Sequence, residues 1–235
     1  MGIKLLDCTL RDGGYINDWK FGYRTAKSII QKLVDSNADY VEVGFLRNCS
    51  YDKNATLFNN IAELKKILPR EQKNTKFTVM ALHNKYDITK LEPNDGTVEA
   101  VRVTFHDYDI DEGLEFVKKV MEKGYKCFCN PINIMGYSDQ EILNLIQKIN
   151  QIKPYAFSIV DTFGSMIKSD LLRIYSLLEH NLDKSIVIGL HLHENLSLSY
   201  SLAQEFIGMR NVNRDCVIDG SLMGMGRVPG NLCLE

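Results

Sequence analysis

Eight short apolar runs punctuate the chain. Between them apolar residues recur at the three-to-four spacing of a helix with one buried face. The runs at 4–10, 40–45, 77–83, 100–106, 126–130, 156–162, 186–193 and 216–222 predict strands. Ala26, Ile29, Ile30, Leu33 and Val34 predict a first helix over 23–37. A second is expected at 56–68 and a stunted one at 87–91. Leu114, Val117 and Val120 form the buried stripe of the next helix, opened by a capping box of Asp109 and Glu112. Ser138 and Glu141 make a second capping box ahead of Ile142, Leu145, Ile146 and Ile149. Leu171, Ile174, Tyr175 and Leu178 mark a further helix, and 196–209 predicts the last.

Strands alternating with helices eight times over about 220 residues predict a single (β/α)8 TIM barrel spanning 1–235, a fold that usually takes about 250 residues. The eighth helix is expected to be missing or truncated, because the sequence ends at Gly230-Asn231-Leu232-Cys233-Leu234-Glu235, where that helix should begin. An open doubly wound sheet is the competing architecture, but no dinucleotide-type glycine fingerprint follows the first strand.

Composition narrows the function classes. Hydrophobic residues make up 45% of the chain and charged residues 25%, as in an ordinary soluble globular protein. The formal net charge is -2, with acids and bases interspersed, which argues against nucleic acid or an anionic membrane as partner. No apolar run approaches the roughly 20 residues of a membrane-spanning helix. Met1-Gly2-Ile3-Lys4 lacks the layout of a signal peptide, so a cytoplasmic location is expected. Six cysteines without a CxxC pair read as reduced thiols, with Cys127 and Cys129 on one strand face in the core. The glycines from Gly220 to Gly230 read as a loop that needs special backbone angles.

In a barrel of this type the active site lies at the C-terminal ends of the strands. Arg11 and Asp12 follow strand one. Glu42 lies on strand two, with Arg47 beyond it, and His106 ends strand four. Asn130 ends strand five and Thr162 strand six. Strand seven ends in His191-Leu192-His193, and strand eight leads into Arg227 and Asn231. Alternation puts His191 and His193 on one strand face, free to share a divalent cation. A carboxylate and two imidazoles at one mouth leave coordination positions open for an oxygen substrate. Glu42 suits an ion pair to Arg11 as well as a substrate contact, and Asn231 suits a helix N-cap as well as the metal site.

Asp7-Cys8-Thr9-Leu10-Arg11-Asp12-Gly13 resembles the D-x-T-L-R-D-G signature of the DRE-TIM metallolyases. That superfamily includes 3-hydroxy-3-methylglutaryl-CoA lyase, isopropylmalate synthase and 4-hydroxy-2-oxovalerate aldolase. The likeness extends to Gly189–Asn195 and to the 230–235 segment, and it is nearest to the aldolase-like members. It implies that Asp12, His191 and His193 bind Mg²⁺, Mn²⁺ or Zn²⁺, and that Asn231 joins or supports that site. It also implies that Arg11 stabilises an enolate oxygen. The expected activity is a metal-dependent aldolase or lyase acting on a small 2-oxo acid through a metal-bound enolate. Glu42, Arg47, Asn130, Thr162 and Arg227 are the candidate substrate contacts, and a homo-oligomer is expected by analogy.

The chain departs from its relatives just after the signature. Tyr15 stands where the aldolases carry the histidine taken as their base, and Gly14-Tyr15 replaces a Glu-Gln pair of the synthases. A phenol, ordinarily near pKa 10, serves as acid or base only where its surroundings lower that value. His106 is the other candidate for the proton. The alternatives are a Claisen-type acyl-CoA synthase of the same superfamily and a non-catalytic metal-binding barrel. An amidohydrolase-type barrel is disfavoured because its His-x-His lies on the first strand.

Overall fold

The computed structural model describes residues 2–227 and 229–235. It is a closed barrel of eight parallel strands: β1 (Ile3–Asp7), β2 (Tyr40–Leu46), β3 (Lys76–Leu82), β4 (Ala100–Phe105), β5 (Lys126–Pro131), β6 (Ala156–Asp161), β7 (Val187–Leu192) and β8 (Cys216–Gly220). Each strand pairs with the next in chain order. β8 pairs back onto β1, with Leu6 opposite Asp219, and so closes the ring. Parallel neighbours need a crossover, and the crossovers bury the outer strand faces. Five long helices do most of this: α1 (Tyr23–Asp35), α2 (Ile110–Glu122), α3 (Asp139–Ile152), α4 (Lys168–Asn181) and α5 (Ser199–Met209). Ser138 and Glu141 form the expected capping box of α3.

Several local expectations are corrected. The run at 4–10 stops being a strand at Asp7, and Thr9–Asp12 is a turn of helix. The helix expected at 56–68 begins only at Ile61. Residues 56–58 are drawn out alongside β2, where the carbonyls of Thr56 and Phe58 accept from the amides of Phe45 (3.0 Å) and Arg47 (2.9 Å). The stunted helix at 87–91 is the single 3₁₀ turn Ile88–Lys90. Asp109 does not cap α2 with Glu112; its carboxylate reaches back to the His106 amide (2.5 Å) and to the His83 ring (2.8 Å). After β8 the chain makes the 3₁₀ turn Leu222–Gly224, and no α-helix follows among the described residues. Asn231 is therefore not an N-cap, and it bridges instead to His193 in strand-like pairing.

Inside the barrel, period-two alternation sorts the inward residues into layers. Leu6, Tyr40, Ala100, Phe128, Ala156, Val187 and Val217 form an apolar plug at the N-terminal end. Two residues further along the same strands come Glu42, Arg102, Asn130, Ser158, Gly189 and Asp219. One more step brings Thr104, Val160 and His191 to the mouth. The interior thus passes from apolar to charged to open along its axis.

Among the described residues no helix is long and apolar enough to cross a membrane. The six cysteines are free thiols; Cys127 and Cys129 are buried in the core, as expected. Away from the mouth, Arg214 is buried and seals the end of α4. Its guanidinium donates to the carbonyls of Leu182 (3.0 Å), Asp183 (2.8 Å) and Ile186 (2.6 Å), while its Nε donates to Glu179 (2.9 Å). Leu182 is the C-cap, whose carbonyl the helix end leaves without an intrahelical partner, and Asp183 and Ile186 lie in the loop that leads to β7. Arg214→Met is expected to lower the unfolding free energy by about 2–4 kcal/mol, because it strips those carbonyls of donors in a buried place. Urea unfolding measures this, and a change below about 0.5 kcal/mol would refute it.

Candidate active site

The site begins where β1 ends. Asp7 accepts from the Thr9 hydroxyl (2.8 Å), and that hydroxyl accepts in turn from the Leu222 amide (2.9 Å). This pins the chain into one helical turn instead of a longer strand, with the Asp12 amide donating to the Cys8 carbonyl (2.8 Å). Arg11 and Asp12 are carried into the barrel mouth as buried side chains. The next residues are held tightly. A Cβ on Gly14 would lie 2.1 Å from the Trp19 ring, whose Nε1 donates to the Arg11 carbonyl (2.7 Å). Tyr15 packs edge-on against Trp19 and Phe45.

Across the mouth, β7 delivers His191 and His193. Each Nδ1 is spoken for on the far side: His191 donates to Asp219 Oδ2 (3.0 Å) and His193 to the Gly230 carbonyl (2.9 Å). Those partners accept only, so the lone pairs sit on the two Nε2 atoms. The Nε2 atoms face Asp12 Oδ2 at 3.9 Å and 3.7 Å, and the three donor atoms lie within 4.8 Å of one another. Asn231 completes the wall. Its Nδ2 donates to Asp12 Oδ2 (2.5 Å) and to the Met225 carbonyl (2.9 Å), and its Oδ1 is buried without a partner among the described residues. Two imidazole nitrogens, a carboxylate and an unanswered amide oxygen are a mixed nitrogen–oxygen donor set that fits a divalent cation. The outward hydrogen bonds of both rings are the supports that metal-binding histidines need.

Beneath this group runs a chain of buried charge. Arg11 donates to Asp12 Oδ1 (2.5 Å) and to Glu42 Oε2 (2.7 Å). The same Glu42 oxygen accepts from Arg102 (3.1 Å), Arg102 also donates to Asp219, and Asp219 holds His191. The chain therefore starts at Asp12 and returns, through four residues, to the imidazole facing it. Glu42 is completely buried and lies behind Arg11, outside the cavity lining; it is an ion-pair partner, and the expectation of a substrate contact is corrected. Arg102 and Asp219 were missed by sequence reasoning. The available signal was alternation: each is a charged residue on the inward face of a strand two positions past a plug residue.

The cavity above is narrow, about 80 Å³, and opens to solvent on one side. Arg11, Asp12, Thr104, Asn130, Thr162, His191, His193 and Arg227 supply its polar lining; Tyr15, Phe45, Met80, Leu82, Ile132 and Val160 supply the apolar wall. Arg227 donates to the Thr162 carbonyl (2.8 Å), and Asn130 Oδ1 is buried without a partner among the described residues. Two predicted site residues are not brought in. Arg47 lies over the rings of Trp19 and Phe45, 5.1 Å and 5.0 Å from their centres, and His106 stacks on Tyr108 with its Nδ1 3.5 Å from Asp109; neither lines the cavity. A larger open groove on the outer wall between α2 and α3, past Asp111 and Lys148, is remote from this chemistry.

Burial pushes Asp12 up, but Arg11, the two imidazoles and the Asn231 amide outweigh it and bring the carboxyl down to about 2. Burial, helped by neighbouring His191, pushes His193 down to about 4 against the pull of Asp12. Both are thus in metal-binding form at neutral pH. An unfolded imidazole titrates near 6.5. Below that pH the unfolded chain takes up a proton that folded His193 refuses until about 4. Its contribution to stability is complete above pH 6.5 and is lost as pH falls through this window. The unfolding free energy of the metal-free protein is expected to fall by up to roughly 3 kcal/mol there. Urea melts between about pH 4 and 7 measure it, and His193→Gln should flatten the dependence; an unchanged slope would contradict this account.

Gly226 gives a second test. A Cβ there would lie 2.0 Å from Asn231 Nδ2 and 2.9 Å from Asp12 Oδ2. Gly226→Ala is expected to displace Asn231 and weaken Mn²⁺ binding about tenfold or more, as loss of a supporting contact does elsewhere. Calorimetric titration with Mn²⁺ reads this directly, and wild-type affinity would sink it.

Comparisons with known proteins agree with this geometry. The model of the HMGL-like family matches residues 2–235. A 4-hydroxy-2-oxovalerate aldolase from Geobacillus genomosp. 3 is 24% identical over 239 residues, covering 99% of this chain and 68% of its own. Another enzyme of that name, from Pseudoalteromonas translucida, is 27% identical over 141 residues; the match covers 60% of this chain and 40% of the relative. In fold, the chain is similar to the solved N-terminal domain of a candidate aldolase from Bacteroides vulgatus, with a TM-score of 0.77 at 24% identity, covering 98% of this chain and 76% of that one. With the family model matched from residue 2 to residue 235, and a buried Asp-His-His group at the barrel mouth, the chain belongs to the HMGL-like family of TIM-barrel enzymes.

Proposed function

We propose that this protein makes or breaks a carbon–carbon bond in a small 2-oxo acid, as a divalent-metal-dependent aldolase or lyase. The observation that carries this reading is the convergence of Asp12, His191, His193 and the Arg11 guanidinium on one small cavity. The names of the two curated relatives support the same class of reaction. A divalent cation held by Asp12, His191 and His193, with Asn231 beside them, would act as a Lewis acid on the substrate carbonyl.

The chain's own side chains supply the remainder. Breaking a bond one carbon away from a carbonyl leaves an enolate, and its negative charge needs a donor set in place beforehand. Arg11 is held at Nε by Glu42 and at one terminal nitrogen by Asp12; its other terminal nitrogen has no partner among the described residues. That nitrogen donates to the enolate oxygen. Arg227, Thr162 and Asn130 receive the substrate carboxylate on the opposite wall. Phe45, Met80, Leu82, Ile132 and Val160 keep water from the reacting carbon. Tyr15 moves the proton: of the two candidates it is the one in the cavity lining, whereas His106 lies outside it.

The test uses pyruvate in D₂O with Mn²⁺, following the methyl signal by NMR. Exchange should require the metal and disappear in His191→Ala. It should slow by about 10²-fold or more in Arg11→Lys, in line with loss of a preset donor to a developing oxyanion. Tyr15→Phe should slow it by about 10²-fold, and His106→Gln should stay within about threefold of wild type. Stoichiometric Mn²⁺ binding without exchange would replace this reading with that of a non-catalytic metal-binding barrel.

A further inference from the structure

Arg102 is fully buried in mid-barrel and touches neither the cavity nor the Asp-His-His group. Burying a guanidinium costs several kcal/mol unless carboxylates and hydrogen bonds answer it, and packed apolar residues often do as well for stability. Its hydrogen bonds show what the charge provides. One terminal nitrogen donates to Glu42 Oε2 (3.1 Å), the same oxygen that accepts from Arg11 Nε (2.7 Å). The other donates to Asp219 Oδ2, the same oxygen that accepts from His191 Nδ1 (3.0 Å). A planar fork fixes the separation of the two carboxylates it bridges, which a single ammonium cannot do.

We propose that Arg102 is a positioning residue that sets both halves of the site at once. Through Asp219 it holds His191 with Nδ1 protonated and Nε2 turned to Asp12. Through Glu42 it holds the guanidinium of Arg11. The proposal rests on the proposed function for what the two halves do, but the positions belong to the folded chain and are testable without substrate.

Two measurements on the full chain test it, with thermal melts confirming the fold. Mn²⁺ titration gives the metal affinity, and long-range ¹H–¹⁵N NMR near neutral pH gives the tautomer of metal-free His191. Wild type should show His191 as a single Nδ1–H tautomer. Arg102→Met should give a mixture of tautomers and weaken Mn²⁺ binding about 10–100-fold, the scale seen for supports of metal ligands. Glu42→Gln, which keeps an oxygen acceptor for Arg102 and leaves the Arg102–Asp219–His191 contacts in place, should keep the tautomer and stay within about threefold in Mn²⁺ affinity. If Arg102→Met does not fold, Arg102→Met/Glu42→Gln takes its place, since it removes one charge of each sign and still leaves Asp219 without its arginine. A folded variant lacking Arg102 with wild-type tautomer and affinity would overturn the proposal. The proposed function fails separately: wild type that binds Mn²⁺ without exchanging pyruvate protons refutes that reading and leaves the Arg102 measurements standing.

Discussion

Charge buried away from water must be answered by charge, and in this barrel that requirement organises the site. The run from Asp12 through Arg11, Glu42, Arg102 and Asp219 to His191 contains no group that can move alone. One oxygen of Glu42 and one of Asp219 each serve two donors. Displacing Arg102 would strand Glu42 and Asp219 together, and leaving a buried charge unpaired costs far more than the pair itself contributes. Such an arrangement adds little net stability compared with an apolar filling. Its effect is to tie residues from β2, β4, β7, β8 and the turn after β1 to one geometry.

The balance of that run is itself informative. With neutral imidazoles, three carboxylates face two guanidiniums, so the site is one positive charge short. A divalent cation would reverse the sign and leave one positive charge in excess, which favours an anion in the cavity. Arg227 adds a further positive group on the opposite wall. The wall of Phe45, Met80, Leu82, Ile132 and Val160 contributes no charge, and the low polarity there strengthens every interaction with the reacting oxygen. A small carboxylate with an adjacent carbonyl meets all of these conditions.

The barrel was legible because its signals are local. Eight apolar runs and their helical spacers recur at the expected intervals, and every one of those runs overlaps an observed strand. The errors fell where tertiary contacts override local preference. Residues 56–58 pair with the end of β2 instead of joining a helix, and Asp109 turns back to His106 and His83 instead of capping forward. At the site, Asp12, His191 and His193 converge, and Asn231 meets Asp12 although 219 positions separate them. Arg102 and Asp219 were overlooked because each is a single charge in an apolar strand, and only the closed ring brings them together. Arg47 and His106 followed strands that do reach the mouth, but strand ends do not say which way the next side chain turns.

The turn after β1 explains how Tyr15 is held against the cavity. The Trp19 indole closes over Gly14, leaving no room for even a methyl group there, and its Nε1 bonds to the Arg11 carbonyl. A long acidic side chain at position 14, as in the synthases that the signature resembles, would collide with that ring. The same indole gives Tyr15 an edge-on partner, with Phe45 packed edge-on against both rings. The phenol is therefore presented from a packed aromatic cluster joined through one hydrogen bond to the backbone of Arg11. Proton transfer demands a donor and acceptor held in fixed relation. In this chain the group assigned to move the proton and the guanidinium assigned to hold the enolate are anchored to the same turn.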